Sequence, residues 1–528
     1  MNKEILRRRT LAIISHPDAG KTTLTEKLLL YGGAIDLAGS VTAKKKQRDT
    51  ASDWMELEKK RGISISSTLL QFEYNNYRFN LLDTPGHKDF SEDTYRVLMA
   101  VDGVIMVIDA AKGIESQTIK LFEICRKHQI PIFTFINKLD RPAKPPLELI
   151  DQIEDILKIS AYPVNWPIES GQFFKGIYDR INKAVHLFER TTGGIFKAPF
   201  SVHSVSDDAF KEIIVEKEYN NFIDEISLLD HVHVEFDKDK ILNGDLSPVY
   251  FGSASNNFGV ELLLKGFLDY SSPPIPRKTL NGDTLSLNNP SFSAFVFKIQ
   301  TNMNPQHRDR MVFARICSGK FHRDAKVYNT RSKREVRLSS VHNIFGKERE
   351  TVDEAYPGDI IGFITNADFK IGDTISSDVN IIFEKIPRFA PEIFAYISNI
   401  TASNYKSFRK GLEHLIAEDI VQTFQIDEQH RSVPLLGALG NLQFEVLQYR
   451  LRDEYGVDTR LEVAPWTILR WIETPIDKEV LNKKLSHYGK TGIDDRNKQT
   501  LFFESKWLYK IFTDNNPDIL LLDFLTEF

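Results

Sequence analysis

Hydrophobic and polar positions follow two alternating periods in the first half of the chain. Short β-branched and aromatic runs predict strands that are buried on both faces. Amphipathic spacing between these runs predicts helices, so strands and helices alternate as in a doubly wound sheet, which binds ligands at the carboxyl ends of its strands. The predicted strands are 11–14, 77–82, 104–109, 131–136 and 249–252, and the predicted helices are 22–30, 89–100, 116–128 and 147–159.

The pattern changes after the proline-rich connection 271–276. From 291 to 383 the period is two, broken by Pro-Gly and Gly-Asp turns, which predicts a small β-barrel. Beyond residue 387, strand-like runs alternate with helices at 405–417 and 442–454, which predicts an α/β sandwich.

These patterns predict an α/β multidomain protein: a P-loop-type doubly wound sheet, then a β-barrel domain and an α/β sandwich domain. The stretch between residues 140 and 252 is longer than one helix and one strand require, so an inserted subdomain is expected at about 165–243. The length of 528 residues agrees with about three domains of ~150 residues each. The expected domains are 1–275, 288–386 and 390–528.

Composition narrows the class of protein without naming a partner. The formal net charge is −5, and the two cysteines, Cys125 and Cys317, lie in apolar runs, so a reducing compartment is expected and a disulfide framework is not. No apolar run approaches the length of a membrane span and no signal-peptide pattern opens the chain. We therefore expect a cytoplasmic protein that does not bind membranes, with a monomer as the default.

Several basic clusters have two possible interpretations. Each is either a patch for RNA phosphates or an ordinary solvated loop, and for any single cluster the solvated loop is favoured. The clusters are 7–9, 44–48, 307–310 and 331–334.

A candidate phosphate-binding loop follows the first predicted strand. It departs from the usual glycine-rich pattern only in having serine where the first glycine is common. Gly20 allows backbone amides to surround a β-phosphate, Lys21 is placed to reach the β- and γ-phosphate oxygens, and the Thr22 hydroxyl is placed to bind Mg²⁺. We predict nucleotide contacts here, with Lys21 also catalytic; the alternative is a turn without a nucleotide. The loop comprises Ser15, His16, Pro17, Asp18, Ala19, Gly20, Lys21, Thr22 and Thr23.

A second motif ends the predicted strand 77–82. Asp83 is expected to hold Mg²⁺ through water and the Gly86 amide to contact the γ-phosphate, which couples the loop to that phosphate. His87 stands where a side chain is needed to orient the attacking water, so we predict that it is catalytic; the alternative is an ordinary polar residue at a helix start. The predicted nucleotide contacts in this loop are Asp83, Thr84, Pro85, Gly86 and His87.

A third motif, Asn137, Lys138, Leu139 and Asp140, follows the predicted strand 131–136. The Asp140 carboxylate can accept two hydrogen bonds from the N1–H and N2–H₂ groups of guanine, whereas adenine offers no such pair. Asn137 is expected either to bind the base edge or to brace the phosphate loop, and the Lys138 stem to cover the ring. The motif predicts GTP rather than ATP as the ligand.

Two further short segments complete the predicted pocket. Ser253 and Ala254 follow the last predicted strand, and their backbone amides are expected to bind the guanine oxygen. Ser64 lies between the phosphate loop and Asp83, where its hydroxyl is expected to bind Mg²⁺ and order the segment from about 39 to 61 in the GTP state. The alternative for Ser64 is an ordinary strand serine beside a loop.

Together these motifs resemble translational GTPases related to elongation factor G, and within that group the bacterial release factor 3 family. The resemblance runs from Leu11 to about Val463 and leaves residues 464–528 unmatched. That family also has serine at the positions of Ser15 and Ser64. The aromatic run 507–512 in the unmatched tail is expected to pack in a core. Further segments that carry the resemblance are 52–56, 61–65, 296–300, 307–310, 354–359 and 437–445.

The resemblance implies a GTPase with Mg²⁺ and GTP or GDP as ligands. It implies that the protein binds ribosomal RNA and ribosomal proteins after peptide release, and drives off class I release factors, which it meets indirectly on the ribosome. Hydrolysis in the family stays slow until ribosomal RNA moves the histidine corresponding to His87 into place. Two alternatives remain: a translocase-like ribosome factor, disfavoured because two further domains are missing, and a GTP-dependent binding module without turnover, disfavoured by His87.

Overall fold

A computed structural model describes residues 1–35, 57–58, 63–189, 196–231, 235–302, 310–345, 348–426 and 434–525. Most of the expected ordering segment 39–61, the segments 52–56 and 61–62, and the basic residues 44–48 and 307–309 lie outside the described residues. Among the described residues, no helix combines the length and apolar character needed to cross a bilayer.

The first part of the chain forms the predicted doubly wound sheet. Its strands are parallel except for the edge strand Thr68–Tyr74, which pairs antiparallel with its neighbour. Runs such as Arg8–Ser15 and Gly103–Asp109 are buried along their whole length because helices cover both faces. In spatial order the strands are Thr68–Tyr74, Tyr77–Asp83, Arg8–Ser15, Gly103–Asp109, Ile132–Asn137, Leu246–Phe251 and Ser160–Pro163.

The helices that connect these strands match the predicted amphipathic segments closely. Val97, Leu121 and Ile153 lie in the apolar core on one face of the sheet, while Leu24, Leu28 and Leu263 lie in the core on the other. The predicted helix 89–100 is divided into the 3₁₀ turn Lys88–Phe90 and the helix Ser91–Leu98. The helices are Asn2–Leu6, Lys21–Tyr31, Ser91–Leu98, Ser116–Lys127, Pro146–Leu157, Lys238–Leu242 and Val260–Tyr270.

Residues within the predicted insertion form a separate small sheet. Four antiparallel strands are followed by the helices Asp208–Ile213 and Glu216–His231, and a short 3₁₀ turn lies at Gly171–Phe173. The buried Trp166 contacts Phe251 of the main sheet with ring centroids 5.3 Å apart, which attaches this unit to the main sheet. The strands are Asn165–Ile168, Gly176–Asp179, Ala184–Phe188 and Phe200–His203.

The middle region is the predicted β-barrel domain. Its strands are antiparallel and enclose an apolar core that includes Val296, Val312 and Ile361. Cys317 is buried in one of its strands and Cys125 in a helix of the first domain, and both are free thiols. The strands are Ser293–Thr301, Arg310–Ser318, Phe321–His322, Ala325–Asn329, Arg334–Leu338, Val341–Phe345, Glu348–Thr351, Glu354–Ala355, Ile360–Ile364 and Thr374–Ser376, with the hairpin Arg277–Lys278 and Thr284–Leu285 before them.

The barrel and the first sheet are hydrogen-bonded into one sheet of fifteen described strands. The junction pairs Phe345 with Leu70. The buried Arg8 side chain reaches across it to Asp359, with Nε 2.8 Å from Oδ2. Arg8 and Arg9 of the basic cluster 7–9 are buried, so these two residues serve packing and are not part of an RNA-binding patch. Arg331 of the cluster 331–334 likewise pairs with Asp373 at 2.8 Å.

The C-terminal region is the predicted α/β sandwich, with four helices on a sheet of eight described antiparallel strands. In spatial order the strands are Thr459–Val463, Ile393–Asn399, Leu435–Ala438, Gln422–Ile426, Lys490–Asp494, Gln499–Phe503, Ile468–Ile472 and Leu521–Leu522. The helices are Tyr405–Ala417, Asn441–Tyr455, Lys478–Leu485 and Lys506–Asn515; a 3₁₀ turn lies at Ala402–Asn404. A last short strand, Phe524–Leu525, pairs with Arg388–Phe389 where this region begins.

The aromatic run 507–512 is only partly in the core, which corrects the sequence expectation. Phe512 is fully buried against Phe503, but the Trp507 residue is 68% exposed. Both lie on the helix Lys506–Asn515, which packs one face on the sheet and leaves the opposite face open. Single residues in such a run therefore differ in burial according to the face they occupy.

A buried ion pair between the first domain and the barrel provides a test of this packing. Arg315 donates two hydrogen bonds of 2.7 Å to the Asp102 carboxylate, and both side chains are buried. Asp102→Ala leaves the guanidinium buried without its carboxylate, so we expect the free energy of unfolding to fall by about 3–5 kcal/mol. Urea unfolding followed by tryptophan fluorescence measures the change.

The matched control removes a carboxylate from an exposed pair. Asp518 accepts from Lys484 at 2.6 Å on the surface of the C-terminal domain. Because water screens that pair, Asp518→Ala is expected to change the unfolding midpoint much less than Asp102→Ala. Equal midpoints for the two variants would contradict a structural role for the buried pair.

Candidate nucleotide-binding site

The four predicted motifs converge at one edge of the doubly wound sheet. They follow the strands Arg8–Ser15, Tyr77–Asp83, Ile132–Asn137 and Leu246–Phe251, which end on the same side because the strands are parallel. Their order in the sheet brings the phosphate-loop and Asp83 motifs to one half of this edge and the Asn137 and Ser253 motifs to the other. The edge therefore carries one continuous candidate site.

The phosphate loop turns sharply before the helix Lys21–Tyr31. Gly20 caps that helix with a φ of +94°, a left-handed conformation that favours glycine. A Cβ atom at this position would lie 2.4 Å from the Nδ2 atom of Asn137. Both the left-handed backbone and the lack of room for a Cβ atom therefore require glycine at position 20. The N-terminus of the helix directs backbone amides toward the loop, as in an anion-binding site.

Oxygen ligands suited to magnesium gather beside the start of this helix. Lys21 Nζ contacts Asp83 Oδ1 and lies 3.4 Å from Ser64 Oγ, and the Thr22 and Ser64 hydroxyl oxygens are 3.5 Å apart. The Lys21 and Asp83 side chains are buried. Two hydroxyl groups and a carboxylate are ligands that Mg²⁺ accepts, so these residues fit the predicted ion.

His87 caps the 3₁₀ turn Lys88–Phe90 next to this cluster. Its Nδ1 atom accepts a hydrogen bond of 3.2 Å from the Asp89 amide, and the side chain is 34% exposed. The preceding Gly86 lies against the phosphate loop, since a Cβ there would be 3.4 Å from Pro17 N. The turn that carries His87 is therefore in contact with the loop expected to hold the phosphates.

Asn137 braces the loop, one of its two predicted roles. Its Nδ2 donates to the Ala19 carbonyl oxygen at 2.9 Å, and its Oδ1 accepts from the Ala254 amide at 2.9 Å. The Asn137 side chain is buried between them. One side chain thus connects three motifs that lie far apart in the sequence.

The Ser253 side chain takes part in the site differently from the sequence expectation. Its hydroxyl donates to Asp140 Oδ1 at 2.6 Å, while its amide donates to the Phe258 carbonyl oxygen at 3.0 Å. The Ala254 amide is bonded to Asn137, so in this structure both amides expected to bind guanine have acceptors within the protein. The hydroxyl of Ser253 holds the Asp140 carboxylate, and the guanine contact of the two amides stays a prediction.

Sequence reasoning missed Asp109 and Ser255. Asp109 accepts from Lys138 Nζ at 2.8 Å, and Lys138 also contacts the Asp18 carbonyl oxygen. Burial opposes ionisation of Asp109, but the hydrogen bond from Lys138 and backbone amides outweigh it and lower the pKa of that carboxyl. Ser255 Oγ lies 3.4 Å from Asp140 Oδ2. Asp109 ends a buried strand beside the motif strands, a position that could have identified it.

The other predicted residues lie in or beside the same loops. Thr84 Oγ1 donates to the Ile13 carbonyl oxygen at 2.8 Å, and Pro85 accepts from Thr94 at 3.2 Å. His16 contacts Glu115 and Lys112, and burial lowers the pKa of its imidazole. Ser15 Oγ donates to the His16 carbonyl oxygen at 2.8 Å, and the Leu139 amide donates to the Gly252 carbonyl oxygen at 3.2 Å. Thr23 lies in the first turn of the helix Lys21–Tyr31.

Comparison with protein families agrees with this arrangement. Residues 6–273 match the elongation factor Tu GTP binding domain, and residues 291–378 match elongation factor G domain 2. Residues 383–513 match the class II release factor RF3, C-terminal domain. This last match corrects the sequence expectation that the resemblance ends near Val463, because it includes most of the tail. The tail carries few short motifs, and its resemblance extends over the whole domain.

Whole-chain comparisons extend the match to nearly every residue. The chain is 52% identical to peptide chain release factor 3 of Gloeobacter violaceus over 98% of this chain and 97% of that protein. It is 50% identical to peptide chain release factor 3 of Synechococcus elongatus over 99% of this chain and 93% of that protein. A crystal structure from Thermus thermophilus shares the fold, with a TM-score of 0.69 and 20% identity over 92% of this chain and 72% of that one. The chain belongs to the peptide chain release factor 3 family of translational GTPases.

Proposed function

We propose that this GTPase acts in translation termination by binding the ribosome after peptide release and promoting dissociation of class I release factors. Membership of the release factor 3 family supports the termination role. The observation that carries the proposal is the convergence of Lys21, Thr22, Ser64 and Asp83 beside His87, on one sheet edge with Asp140. GTP hydrolysis then resets the protein for release from the ribosome.

In this proposal the first domain holds the GTP phosphates. Lys21 donates to the β- and γ-phosphate oxygens, and the amides of residues 15–23 surround the β-phosphate. Thr22 and Ser64, with Asp83 through water, would hold Mg²⁺. When bound, Mg²⁺ offsets the negative charge that builds on the β–γ bridging oxygen as the bond breaks.

His87 orients the water that attacks the γ-phosphorus. The water oxygen forms the new bond to phosphorus, the bond to the β–γ bridging oxygen breaks with its electron pair staying on GDP, and the proton that the water loses passes to the released phosphate. The Gly86 amide contacts a γ-phosphate oxygen, so loss of that phosphate frees the loop that carries His87. Hydrolysis and loop position are thereby coupled.

Guanine is selected by the carboxylate of Asp140, held by Ser253. The carboxylate accepts from N1–H and N2–H₂ of the base, while a base without those donors leaves the partly buried carboxylate two hydrogen bonds short. Lys138 covers the ring face with its stem, and Leu139 packs beneath the motif, where it is buried.

Asp140→Asn is expected to move the preference of the site from guanine to xanthine nucleotides. The new side-chain amide donates to the carbonyl group that xanthine has in place of the guanine amino group, whereas guanine meets a donor facing its own donors. Competition between xanthosine and guanosine triphosphates for the full-length protein measures the change. Asp245→Asn, on a loop before the strand Leu246–Phe251, is the matched control. Retained guanine preference in Asp140→Asn would contradict the base-recognition role.

The remaining assignments in this proposal concern organisation and partners. We propose a GTP-binding domain at 1–275 with an insertion at about 165–243, a barrel domain at 288–386 and a C-terminal domain at 390–528. The separate small sheet at 165–203 supports the insertion. The protein works as a cytoplasmic monomer whose direct partners are ribosomal RNA and ribosomal proteins.

The proposal is tested on ribosomes that have released their peptide. A labelled class I release factor is bound to them, and its dissociation rate is measured with this protein plus GTP, plus GDP, or alone. Faster dissociation that requires GTP is the expected result. Ribosome-stimulated hydrolysis without faster dissociation would keep the GTPase and reject the termination step, and binding of GTP without any turnover would reduce the protein to a GTP-dependent binding module.

A further inference from the structure

The turn that follows His87 is held by the C-terminal domain as well as by its own domain. Asp89 is buried, and its Oδ2 atom accepts a hydrogen bond of 3.0 Å from the backbone amide of Leu442, 353 positions along the chain. Leu442 is the second residue of the helix Asn441–Tyr455. The other carboxylate oxygen of Asp89 lies 3.4 Å from His87 Nδ1. One side chain therefore connects His87 to a helix of another domain.

Gly440 makes the space that Asp89 occupies. A Cβ atom at Gly440 would lie 2.1 Å from the carboxyl carbon of Asp89, which is far inside contact distance. The Gly440 backbone is extended, with a φ of −165°, so the requirement is for space and not for an unusual conformation. Gln443 fixes this end of the helix, since its side chain accepts from the Leu439 amide at 2.6 Å and donates to the Ile420 carbonyl oxygen at 2.8 Å.

An apolar cluster reinforces the same contact. Phe90, which follows Asp89, packs with Ile65, Leu57 and Val446 of the helix Asn441–Tyr455. Ile65 is next to the predicted magnesium ligand Ser64. The chain segments on both sides of the proposed phosphate site thus share one small core with the C-terminal domain.

An ionic contact lies about two helical turns further on. Arg96 pairs with Glu92 at 3.1 Å and with Asp419 of the C-terminal domain at 2.6 Å, and all three side chains are largely buried. Removing Arg96 takes this cation away from two buried carboxylates, one in each domain, so the contact joins the two domains along this face. The position of the His87 turn therefore depends on where the C-terminal domain sits.

We propose that Asp89 is a positioning residue for His87 and that the helix Asn441–Tyr455, through Leu442 and Gly440, sets its position. The Asp89 amide holds His87 Nδ1, and the Asp89 carboxylate is held by the helix N-terminus, where backbone amides and the helix dipole favour an anion. A displacement of the helix moves Asp89 and with it the imidazole. A displacement of about 1 Å in such a group is enough to lower a rate ~100-fold.

This inference rests on the proposed role of His87, and it is tested in the full-length protein with ribosomes. Gly440→Ala pushes Asp89 out of its place without changing the GTP-binding domain, and Asp89→Ala removes the carboxylate. We expect both to lower the single-turnover rate of ribosome-stimulated GTP hydrolysis about 10-fold or more, with the dissociation constant for GTP within about 2-fold of wild type.

Two further variants separate positioning from a general effect on folding. Asp89→Asn keeps an oxygen that accepts from the Leu442 amide and is expected to retain most of the rate. Asn441→Ala changes an exposed residue at the same helix end and is the matched control, with an unchanged rate. If Gly440→Ala does not fold, the hydrolysis rates of Asp89→Ala and Asp89→Asn show whether Asp89 positions His87.

An unchanged or higher hydrolysis rate in Asp89→Ala would overturn the inference, as would a loss of GTP affinity as large as the loss of rate. The comparison with His87→Ala distinguishes this failure from a failure of the proposed function. A slow His87→Ala beside a fast Asp89→Ala rejects the positioning role alone, whereas a fast His87→Ala rejects the catalytic role on which it rests.

Discussion

Replacing His87 with alanine is expected to abolish most ribosome-stimulated hydrolysis while GTP still binds. In the proposed mechanism the imidazole orients the attacking water while the phosphate loop and Asp140 hold the nucleotide, so loss of the imidazole lowers the rate of the chemical step by about 100-fold or more. Its partly exposed position, held through Nδ1 by the Asp89 amide, leaves the other ring nitrogen for that water. Phosphate release in single turnover and fluorescent-nucleotide titration measure the two quantities separately.

His487→Ala is a matched control for this result. His487 is an exposed histidine of the C-terminal domain, far along the chain from the predicted motifs, and its replacement is expected to leave the rate unchanged. A His87→Ala protein that hydrolyses GTP at the wild-type rate would remove the residue from the mechanism. A parallel loss of GTP affinity would instead make it a binding residue.

Lys21→Ala is expected to weaken both GTP and GDP binding severely. Lys21 Nζ is buried against Asp83 and close to Ser64, at the start of the helix that follows the proposed phosphate loop. Truncating a buried charged partner costs about 2–5 kcal/mol, which corresponds to a dissociation constant raised ~30-fold or more. Equilibrium titration with a fluorescent guanine nucleotide measures the change.

The control for Lys21 is an exposed lysine of the same domain. Lys120 lies on the helix Ser116–Lys127, outside the predicted phosphate loop, and Lys120→Ala is expected to bind nucleotide as wild type does. Thermal unfolding without nucleotide shows whether Lys21→Ala still folds. A folded Lys21→Ala protein with normal nucleotide affinity would contradict the assignment of the phosphate loop.

Lys21→Ala is expected to affect nucleotide binding and His87→Ala the chemical step, although the two residues belong to neighbouring motifs. In the proposed mechanism Lys21 contacts the phosphates in the ground state and in the transition state, so its loss is expected to raise the dissociation constant. His87 acts when water attacks, so its loss lowers the rate constant. Gly440 is a third position: its substitution is expected to lower the rate constant of hydrolysis without any change in the GTP-binding domain.

Much of the architecture was determined by the sequence itself. The buried β-branched runs and helical spacing predicted the doubly wound sheet, and the helix predicted at 405–417 is observed as Tyr405–Ala417. Local periodicity decides such elements because a strand buried on both faces and an amphipathic helix have different repeats. The phosphate-loop and Asp140 motifs were also recognisable, since each requires a short run of particular residues at a strand end.

The tertiary structure alone decided which long-range partners these motifs have. Sequence reasoning assigned the Ser253 amide to guanine, whereas that amide is used within its loop and the hydroxyl holds Asp140. For the cluster 7–9 the sequence favours a solvated loop over an RNA patch, and Arg8 is instead buried against Asp359. Trp507 was expected in a core and is exposed.

The contact between Asp89 and Leu442 shows most clearly why local sequence patterns do not specify long-range partners. Both residues lie in locally recognisable elements, but the distance between them depends on how two domains pack, and no local pattern specifies a contact across 353 positions. Periodicity and motif spacing act over a few residues, through backbone geometry and the covalent chain. Burial, ion pairing and the space left by a glycine such as Gly440 arise only when distant segments come together.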